Sequence, residues 1–387
     1  MMNRKVRVFR PHLGLLEFVR RHAGTLLPFL TPRKAANASL AVLERRLGRT
    51  VVRSRPFMYR IDPCSLCNLR CPSCASHTAE TDEQRLMRLD DFRTIVDRVQ
   101  RWALRASLYD MGEPLLNKRI WSMIRYCTDR GISTLISTNF NLFKPHDVDA
   151  LFDSGLTVLE PCLDGYTQEA YATYRRNGEV ETVKNNIRLV MEEKRRRDAT
   201  YPLVDAQVVL FEHLVGEFDR IGGFLTSVGV DKVTLRPENL GFVAEPAVEA
   251  STGSAYHAEA KTKPGASHRC HWLYVGMMLR PDGNAYPCCG LDFDRFAYGN
   301  ILEQSLDEIW NNDYYQFSRA LFQEGEDLPF DERMVDLPCY ECDRFKISRT
   351  MQGRGEAIAA RAVAAQVTSP SRRTRMAVRF RSPTSIT

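Results

Sequence analysis

The strongest constraint on the fold of this chain is a regular alternation of short strands and helices between residues 57 and 236. Apolar and alternating segments predict strands, and the segments between them have the spacing of amphipathic helices. Such alternation is typical of a parallel α/β sheet with right-handed crossovers. The predicted strands are residues 57–61, 105–109, 133–137, 157–163, 204–211 and 232–236, and the predicted helices are residues 89–102, 118–130, 146–152, 180–196 and 217–228.

Three cysteines follow the first predicted strand. Cys67, Cys71 and Cys74 are separated by three and then two residues. One tight loop with this spacing can hold three irons of a 4Fe–4S cluster, since thiolates are the usual protein ligands of such clusters. The fourth iron then keeps an open position for a small chelating molecule. A structural zinc knuckle is the alternative, because Cys64 offers a fourth thiolate.

The cysteine loop and three later segments resemble motifs of the radical S-adenosylmethionine (SAM) superfamily, in the family's order. Residues 111–114 are similar to its Gly-Gly-Glu-Pro segment, with Met111 in place of the first glycine. Residues 137–139 are similar to its ribose-contacting segment, and residues 164–178 to an Asp-Gly … Tyr-Arg-x-x-Gly stretch. The resemblance implies that SAM is bound by Gly112, Glu113, Pro114, Ser137, Asn139 and Arg175, and that the cluster is held by Cys67, Cys71 and Cys74.

The fold implied by the resemblance is a partial (β/α)6 barrel of TIM type. All four motifs lie at the carboxyl ends of predicted strands, where parallel barrels place their active sites. The resemblance also implies an electron donor of flavodoxin or ferredoxin type, which reduces the cluster. The reduced cluster then cleaves SAM to a 5′-deoxyadenosyl radical, which abstracts a substrate hydrogen.

A second group of cysteines lies near the C-terminus. The Pro281-Asp282-Gly283 turn signal predicts a hairpin of residues 272–280 and 284–287 with a cysteine at each end. The pattern resembles the SPASM and shortened "twitch" extensions of radical SAM enzymes, and its spacing is closest to the single-cluster form of an aminocyclitol dehydrogenase. It implies one auxiliary 4Fe–4S cluster, held by Cys270, Cys288, Cys339 and Cys342. A zinc ribbon is one alternative, and Cys289 in place of Cys288 is another.

The length of 387 residues fits one large and one small domain. We expect a helical extension over residues 1–55 (helices 13–30 and 33–48), a barrel over 56–237, a linker over 238–268, an auxiliary-cluster domain over 269–346 and a disordered basic tail over 347–387. The net charge of +6 equals that of residues 353–387, which carry seven arginines and one glutamate, so the rest of the chain is neutral and we expect no nucleic-acid partner. Charges interrupt the apolar N-terminal segment, so we expect neither a signal peptide nor a membrane span. We expect the protein to be cytoplasmic.

The fourth predicted strand carries a further candidate residue. Alternation places Glu160, Cys162 and Asp164 on one face of that strand, which the family turns toward the barrel interior. Cys162 is therefore either a hydrogen donor or a small core residue, since free cysteines are commonly buried. The predicted function is oxidation or epimerisation of a small polar metabolite such as a sugar or aminocyclitol. A peptide- or protein-modifying maturase and a non-catalytic zinc-binding protein are the alternatives.

Overall fold

The computed structural model describes residues 6–8, 22–72, 74, 76, 85–237, 269–288, 296–322 and 337–342. Their ten strands form one sheet in the order β1-β7-β6-β5-β4-β3-β2-β8-β9-β10. The strands are β1 Val6–Val8, β2 Met58–Ile61, β3 Arg105–Ser107, β4 Ser133–Thr138, β5 Val158–Pro161, β6 Leu203–Leu210, β7 Lys232–Pro237, β8 Gly276–Leu279, β9 Asn284–Tyr286 and β10 Gly299–Asn300.

The six predicted strands correspond to β2 through β7. Each is parallel to the next one along the chain, as in the pairs Tyr59↔Ala106 and Leu159↔Val204. The order of neighbours in the sheet therefore follows the order in the sequence, which is the arrangement of a barrel wall. The predicted partial barrel of α/β class is confirmed.

The helices between these strands cover the outer face of the sheet. In the helix after the cluster loop, Phe92, Ile95, Val96 and Val99 are buried in the main hydrophobic core. The short helix Gln168–Tyr174 was not predicted. The helices of the barrel are Leu89–Val99, Ile120–Thr128, Asp147–Asp153, Gln168–Tyr174, Val180–Arg196 and Phe218–Val228.

The N-terminal extension differs from the helical prediction. Strand β1 pairs in parallel with β7, so the extension adds a strand to the sheet. Residues 22–26 are helical and Leu27–Phe29 form a 3-10 helix, whereas the rest of the first predicted helix, residues 13–21, lies outside the described residues. The second helix, Pro32–Leu47, agrees with the prediction: Thr31 caps its start and Gly48, with a φ of 66°, ends it.

The C-terminal hairpin is joined directly to the barrel. Strand β8 pairs in parallel with β2, and β9 and β10 follow as antiparallel strands. The predicted first strand was too long, because Trp272–Val275 forms a helical turn before β8. Leu306–Trp310, Asp313–Leu321 and Pro338–Glu341 complete this part of the chain. The buried guanidinium of Arg319 donates to the carbonyls of Thr50, Leu273 and Trp310 and so joins it to the N-terminal extension.

The predicted linker and basic tail lie outside the described residues. Within the described ranges, every helix is too short or too polar to cross a membrane.

Candidate active site

The three cysteines of the cluster loop lie together at the carboxyl end of β2. Cys67, Cys71 and Cys74 contact one apolar group that contains Leu69, Tyr174 and Phe211. The amide of Cys74 donates to the carbonyl of Cys71 at 3.3 Å, and the amide of Leu69 donates to Sγ of Cys67 at 3.4 Å. Burial raises the pKa of Cys67 to about 11, and a bound metal ion would favour the thiolate form instead.

Cys64 has a different environment from the three loop cysteines. Its side chain is fully buried, and its Sγ accepts a hydrogen bond from the amide of Leu66 at 3.3 Å. Burial raises the pKa of this thiol to about 12. The sulfur is thus engaged within its own turn.

The Gly-Glu-Pro segment lies against the backbone of the cluster loop. A Cβ atom on Gly112 would lie 2.1 Å from the carbonyl oxygen of Cys64 and 2.3 Å from that of Leu66, so only glycine fits there. The amide of Glu113 donates to the carbonyl of Leu66 at 2.7 Å. Pro114 begins the short 3-10 helix Pro114–Leu116 and is buried.

The carboxylate of Glu113 connects this segment to the end of β4. It accepts hydrogen bonds from Thr138 Oγ1 at 2.6 Å, from the amide of Asn139 at 2.8 Å and from the amide of Leu115 at 3.1 Å. Because the side chain is only 2% exposed, it serves to position the backbone of both segments. Glu113 therefore has a structural role in this site, because its carboxylate already accepts hydrogen bonds from other residues of the protein.

The Ser-Thr-Asn segment reaches the cluster loop through Asn139. Its Nδ2 donates to Oδ1 of Asn68 at 2.9 Å and lies 3.9 Å from Sγ of Cys67. The following residue, Phe140, has a φ of 60°, a conformation that bulky residues rarely adopt. Asn186 stabilises it by donating to its carbonyl at 2.9 Å. Strain of this kind is commonly stored beside functional sites.

Arg175 lies between the cluster loop and the barrel interior. Its Nε and Nη2 donate to Oδ2 of Asp164 at 2.7 and 2.6 Å, and its Nη1 lies 3.9 Å from Sγ of Cys71. Oδ1 of Asp164 accepts from the amide of Val209 at 2.7 Å, so both carboxylate oxygens are occupied. The family motif thus brings a positively charged side chain next to the predicted cluster.

Cys162 faces the barrel interior and lies outside the apolar core. Its Sγ is 3.7 Å from Oγ of Ser137, which joins two of the predicted residues. Burial raises the pKa of Cys162 to about 11. Its thiol therefore stays protonated at neutral pH.

Sequence reasoning placed Glu160 on the interior face but missed the other charged side chains that line the barrel beside Cys162. Arg60 of β2 pairs with Asp110 at 3.2 Å, and Arg280, just after β8, lies 3.9 Å from the other oxygen of Asp110. On the opposite strands, Glu160 accepts a hydrogen bond from Gln207 and lies 3.7 Å from Arg236. The available signal was the alternation of charged with apolar residues in β2, β6 and β7, which places every second side chain inside the barrel.

The predicted auxiliary cysteines lie around two buried tyrosines. The thiol of Cys339 interacts electrostatically with Cys270 and Cys342, and Tyr315 interacts with both Cys339 and Cys288. The hydroxyl of Tyr298 lies 3.8 Å from Sγ of Cys339, and burial raises the pKa of this thiol to about 12. Cys289 lies outside the described residues.

The residues present suit iron–sulfur clusters in both places. Each donor set consists of thiols, the soft ligands that such clusters require. The absence of a side chain at Gly112 lets the Gly-Glu-Pro segment approach the cysteine loop closely. Asn139 and Arg175 bring hydrogen-bond donors to the sulfur atoms, as groups next to metal-ligating side chains commonly do.

Comparison with known families agrees with this geometry. The model described as "Radical SAM superfamily" matches residues 61–208, and the SPASM model, an iron–sulfur cluster-binding domain, matches residues 270–343. The chain belongs to the radical SAM superfamily. More particularly, it is a radical SAM enzyme with a SPASM domain. The cofactors of this enzyme are a 4Fe–4S cluster, SAM and auxiliary iron–sulfur clusters. This assignment replaces the two zinc alternatives.

Individual relatives are distant and differ in function. The chain is 22% identical to the tungsten-containing aldehyde ferredoxin oxidoreductase cofactor-modifying protein of Pyrococcus furiosus, across 66% of this chain and 81% of that protein. It is 30% identical to the GTP 3′,8-cyclase of Chlorobaculum tepidum, but this match covers only 39% of this chain and 44% of that protein. The crystal structure of Streptococcus suis SuiB bound to SAM matches 72% of this chain and 70% of SuiB, at 17% identity and a TM-score of 0.56, which shows the fold.

Proposed function

We propose that this enzyme oxidises a small polar metabolite, such as a sugar or an aminocyclitol, inside the mouth of its barrel. The observation that carries the proposal is the charged lining formed by Arg60, Asp110, Glu160, Arg236 and Arg280. These groups pair with one another, and their guanidinium and carboxylate groups have further donors and acceptors that can form hydrogen bonds with a polar ligand.

The cofactors supply the radical chemistry. When bound, the 4Fe–4S cluster and SAM provide a 5′-deoxyadenosyl radical, which takes a hydrogen atom from an unactivated C–H bond. Cys67, Cys71 and Cys74 would hold the cluster, and the guanidinium of Arg175 would bind the SAM carboxylate. The backbone of Gly112, Glu113 and Pro114 would receive the amino group of SAM, and Ser137 and Asn139 would contact its ribose.

Oxidation of an alcohol to a ketone also removes one proton and a second electron from the substrate. Glu160 faces the barrel interior, and burial raises the pKa of its carboxyl to about 7, against the opposing effect of Arg236. A group with this pKa can accept a proton near neutral pH. The second electron needs an acceptor, and Cys270, Cys288, Cys339 and Cys342 would hold the auxiliary cluster that takes it.

Epimerisation is the second candidate function, and Cys162 favours it. A thiol that remains protonated can return a hydrogen atom to a carbon radical from the opposite face. The S–H bond then breaks, a C–H bond forms and the sulfur keeps one unpaired electron. Cys162 meets the requirement, since burial raises its pKa to about 11 and its position faces the interior.

The test uses anaerobically reconstituted protein with dithionite and SAM, and measures release of 5′-deoxyadenosine. We expect the dialysable fraction of a cell extract to stimulate release. Stimulation by the retained fraction alone would contradict a small-molecule substrate and favour a peptide or protein. Substitution of Cys71 by alanine should abolish release, and normal release by that variant would refute SAM cleavage at this loop.

Deuterated water then separates the two reactions. An epimerase takes one solvent-derived hydrogen from its thiol, so the product gains one deuterium, and Cys162→Ala abolishes this gain. A dehydrogenase gives a product lighter than the substrate by two hydrogens, without deuterium at the reacting carbon. Because the two products differ in mass, one spectrum decides between them.

A further inference from the structure

A basic depression lies directly behind the cluster loop. It has a volume of about 600 Å³, and its rim carries the exposed side chains of Arg88, Lys118 and Arg119 around the half-exposed Leu86. Asp90 is the acidic residue of this lining, and its carboxylate pairs with Arg93 at 3.1 Å. The surface therefore combines a small apolar centre with a positively charged rim.

The floor of this depression is hydrogen-bonded to the cluster loop. Leu86 forms an antiparallel bridge with Cys64, and the amide of Met87 donates to the carbonyl of Pro63 at 3.0 Å. The buried amide of Asn117 donates to the carbonyls of both Pro63 and Met87, at 2.8 and 3.0 Å. A protein that docks on this surface would thus stand against the outer side of the loop that carries Cys67.

The basic residues themselves do not cap the helices that they begin. Arg88 and Arg119 occupy the N-cap positions of Leu89–Val99 and Ile120–Thr128, and neither side chain caps its helix. Cations are unfavourable at helix N-termini, and Ser, Thr, Asp or Asn are the stabilising caps. Residues that break a local rule without a local gain are commonly kept for function.

We propose that this depression is the docking surface for an acidic, low-potential electron-transfer protein of flavodoxin or ferredoxin type. The inference rests on the proposed function, since the cluster must be reduced before SAM can be cleaved. In the docked complex, the reduced donor loses one electron and the 4Fe–4S cluster gains it. Transient electron-transfer complexes use small interfaces, and complementary charge raises their association rate.

The test compares two double variants that change the same charge. Arg88→Asp/Arg119→Asp alters the proposed surface. The control, Arg33→Asp/Arg101→Asp, alters a second basic depression that lies beyond the other end of Leu89–Val99. The helix has 11 residues, which places the two depressions about 16 Å apart along its axis. Each variant is assayed for SAM cleavage with reduced flavodoxin at low salt and, separately, with dithionite.

We expect Arg88→Asp/Arg119→Asp to lower flavodoxin-driven cleavage about tenfold, because electrostatic steering is lost. Dithionite-driven cleavage should stay within about twofold of the unmodified enzyme, since a small reductant needs no docking surface. The control variant should keep both rates. The melting temperature of Arg88→Asp/Arg119→Asp should be unchanged or raised, because aspartate is a better N-cap than arginine.

Binding of oxidised flavodoxin to the holoenzyme gives a readout that does not depend on turnover. The dissociation constant should rise about tenfold in the Arg88→Asp/Arg119→Asp variant and lose most of its salt dependence. Equal flavodoxin binding and flavodoxin-driven rates in this variant and the unmodified enzyme would overturn the proposal, as would an equal loss in the control. Absence of dithionite-driven cleavage in the unmodified enzyme would instead contradict the proposed function, and the binding measurement would still decide the docking surface.

Discussion

Asp164 holds Arg175 against the cluster loop. One carboxylate oxygen accepts two hydrogen bonds from the guanidinium, at 2.7 and 2.6 Å, while Nη1 of Arg175 points to Sγ of Cys71 at 3.9 Å. Asp164 is fully buried and Arg175 is largely buried. The pair therefore holds the guanidinium of Arg175 beside Cys71 of the cluster loop.

The first prediction concerns this pair. Asp164→Ala should lower the free energy of unfolding by about 3–5 kcal/mol, because it leaves the Arg175 charge buried without its partner. It should also weaken SAM binding, since Arg175 is no longer positioned. Urea unfolding and calorimetric titration with SAM measure the two effects. Arg93→Ala breaks the exposed pair with Asp90 and should cost less than about 1 kcal/mol; an equal cost for both would contradict the interpretation.

The second prediction concerns the contact between Gly112 and the cluster loop. Gly112→Ala should displace the loop, because the added Cβ would lie 2.1 and 2.3 Å from two backbone carbonyl oxygens. The iron content after anaerobic reconstitution should fall. Gly222→Ala is the matched control, since no atom lies within 4 Å of its Cβ, and in a helix it should be neutral or stabilising by up to about 1 kcal/mol. Full iron in Gly112→Ala would refute the close contact.

The third prediction concerns the buried carboxyl of Glu160. Burial raises its pKa from the ordinary value of 4.5 to about 7 in the folded protein, so folding favours the protonated form. This contribution is complete below the unfolded pKa and is lost as the pH rises through about 7. The melting temperature of Glu160→Gln, relative to that of the unmodified protein, should therefore increase between about pH 5 and about pH 8.

A glutamate with the opposite shift is the control for this experiment. Hydrogen bonds from Arg196 and Arg197 lower the pKa of Glu193 to about 2. Its contribution is present above the unfolded pKa and is lost only as the pH falls toward 2, so Glu193→Gln should show a constant difference over the same interval. A flat difference for Glu160→Gln would show that its carboxyl titrates normally.

The fourth prediction separates the two groups of cysteines. Cys339→Ala should remove the auxiliary cluster alone, so the iron content should fall by about half while SAM cleavage with dithionite persists. Cys127→Ala, in the core helix Ile120–Thr128, should keep all iron because that thiol lies among apolar side chains. Unchanged iron in Cys339→Ala would mean that the ligand assignment is wrong.

Local patterns in the sequence predicted much of the fold. The six barrel strands were found because their apolar residues recur with the period of a strand. Val180–Arg196 was predicted with its observed ends because its apolar residues follow the helical period over a long segment. The helix Gln168–Tyr174 was missed. Strand β1 was also missed, because it is three residues long and its partner, β7, lies more than 200 residues later.

The candidate cluster ligands Cys67, Cys71 and Cys74 could be predicted from sequence, since their spacing is local and needs no distant residue. The charged lining of the barrel could not. Arg60, Asp110 and Arg280 come from positions up to 220 residues apart, and they meet because β8 pairs in parallel with β2. Parallel pairing between distant strands depends on the packing of the whole sheet, which no local period in the sequence records.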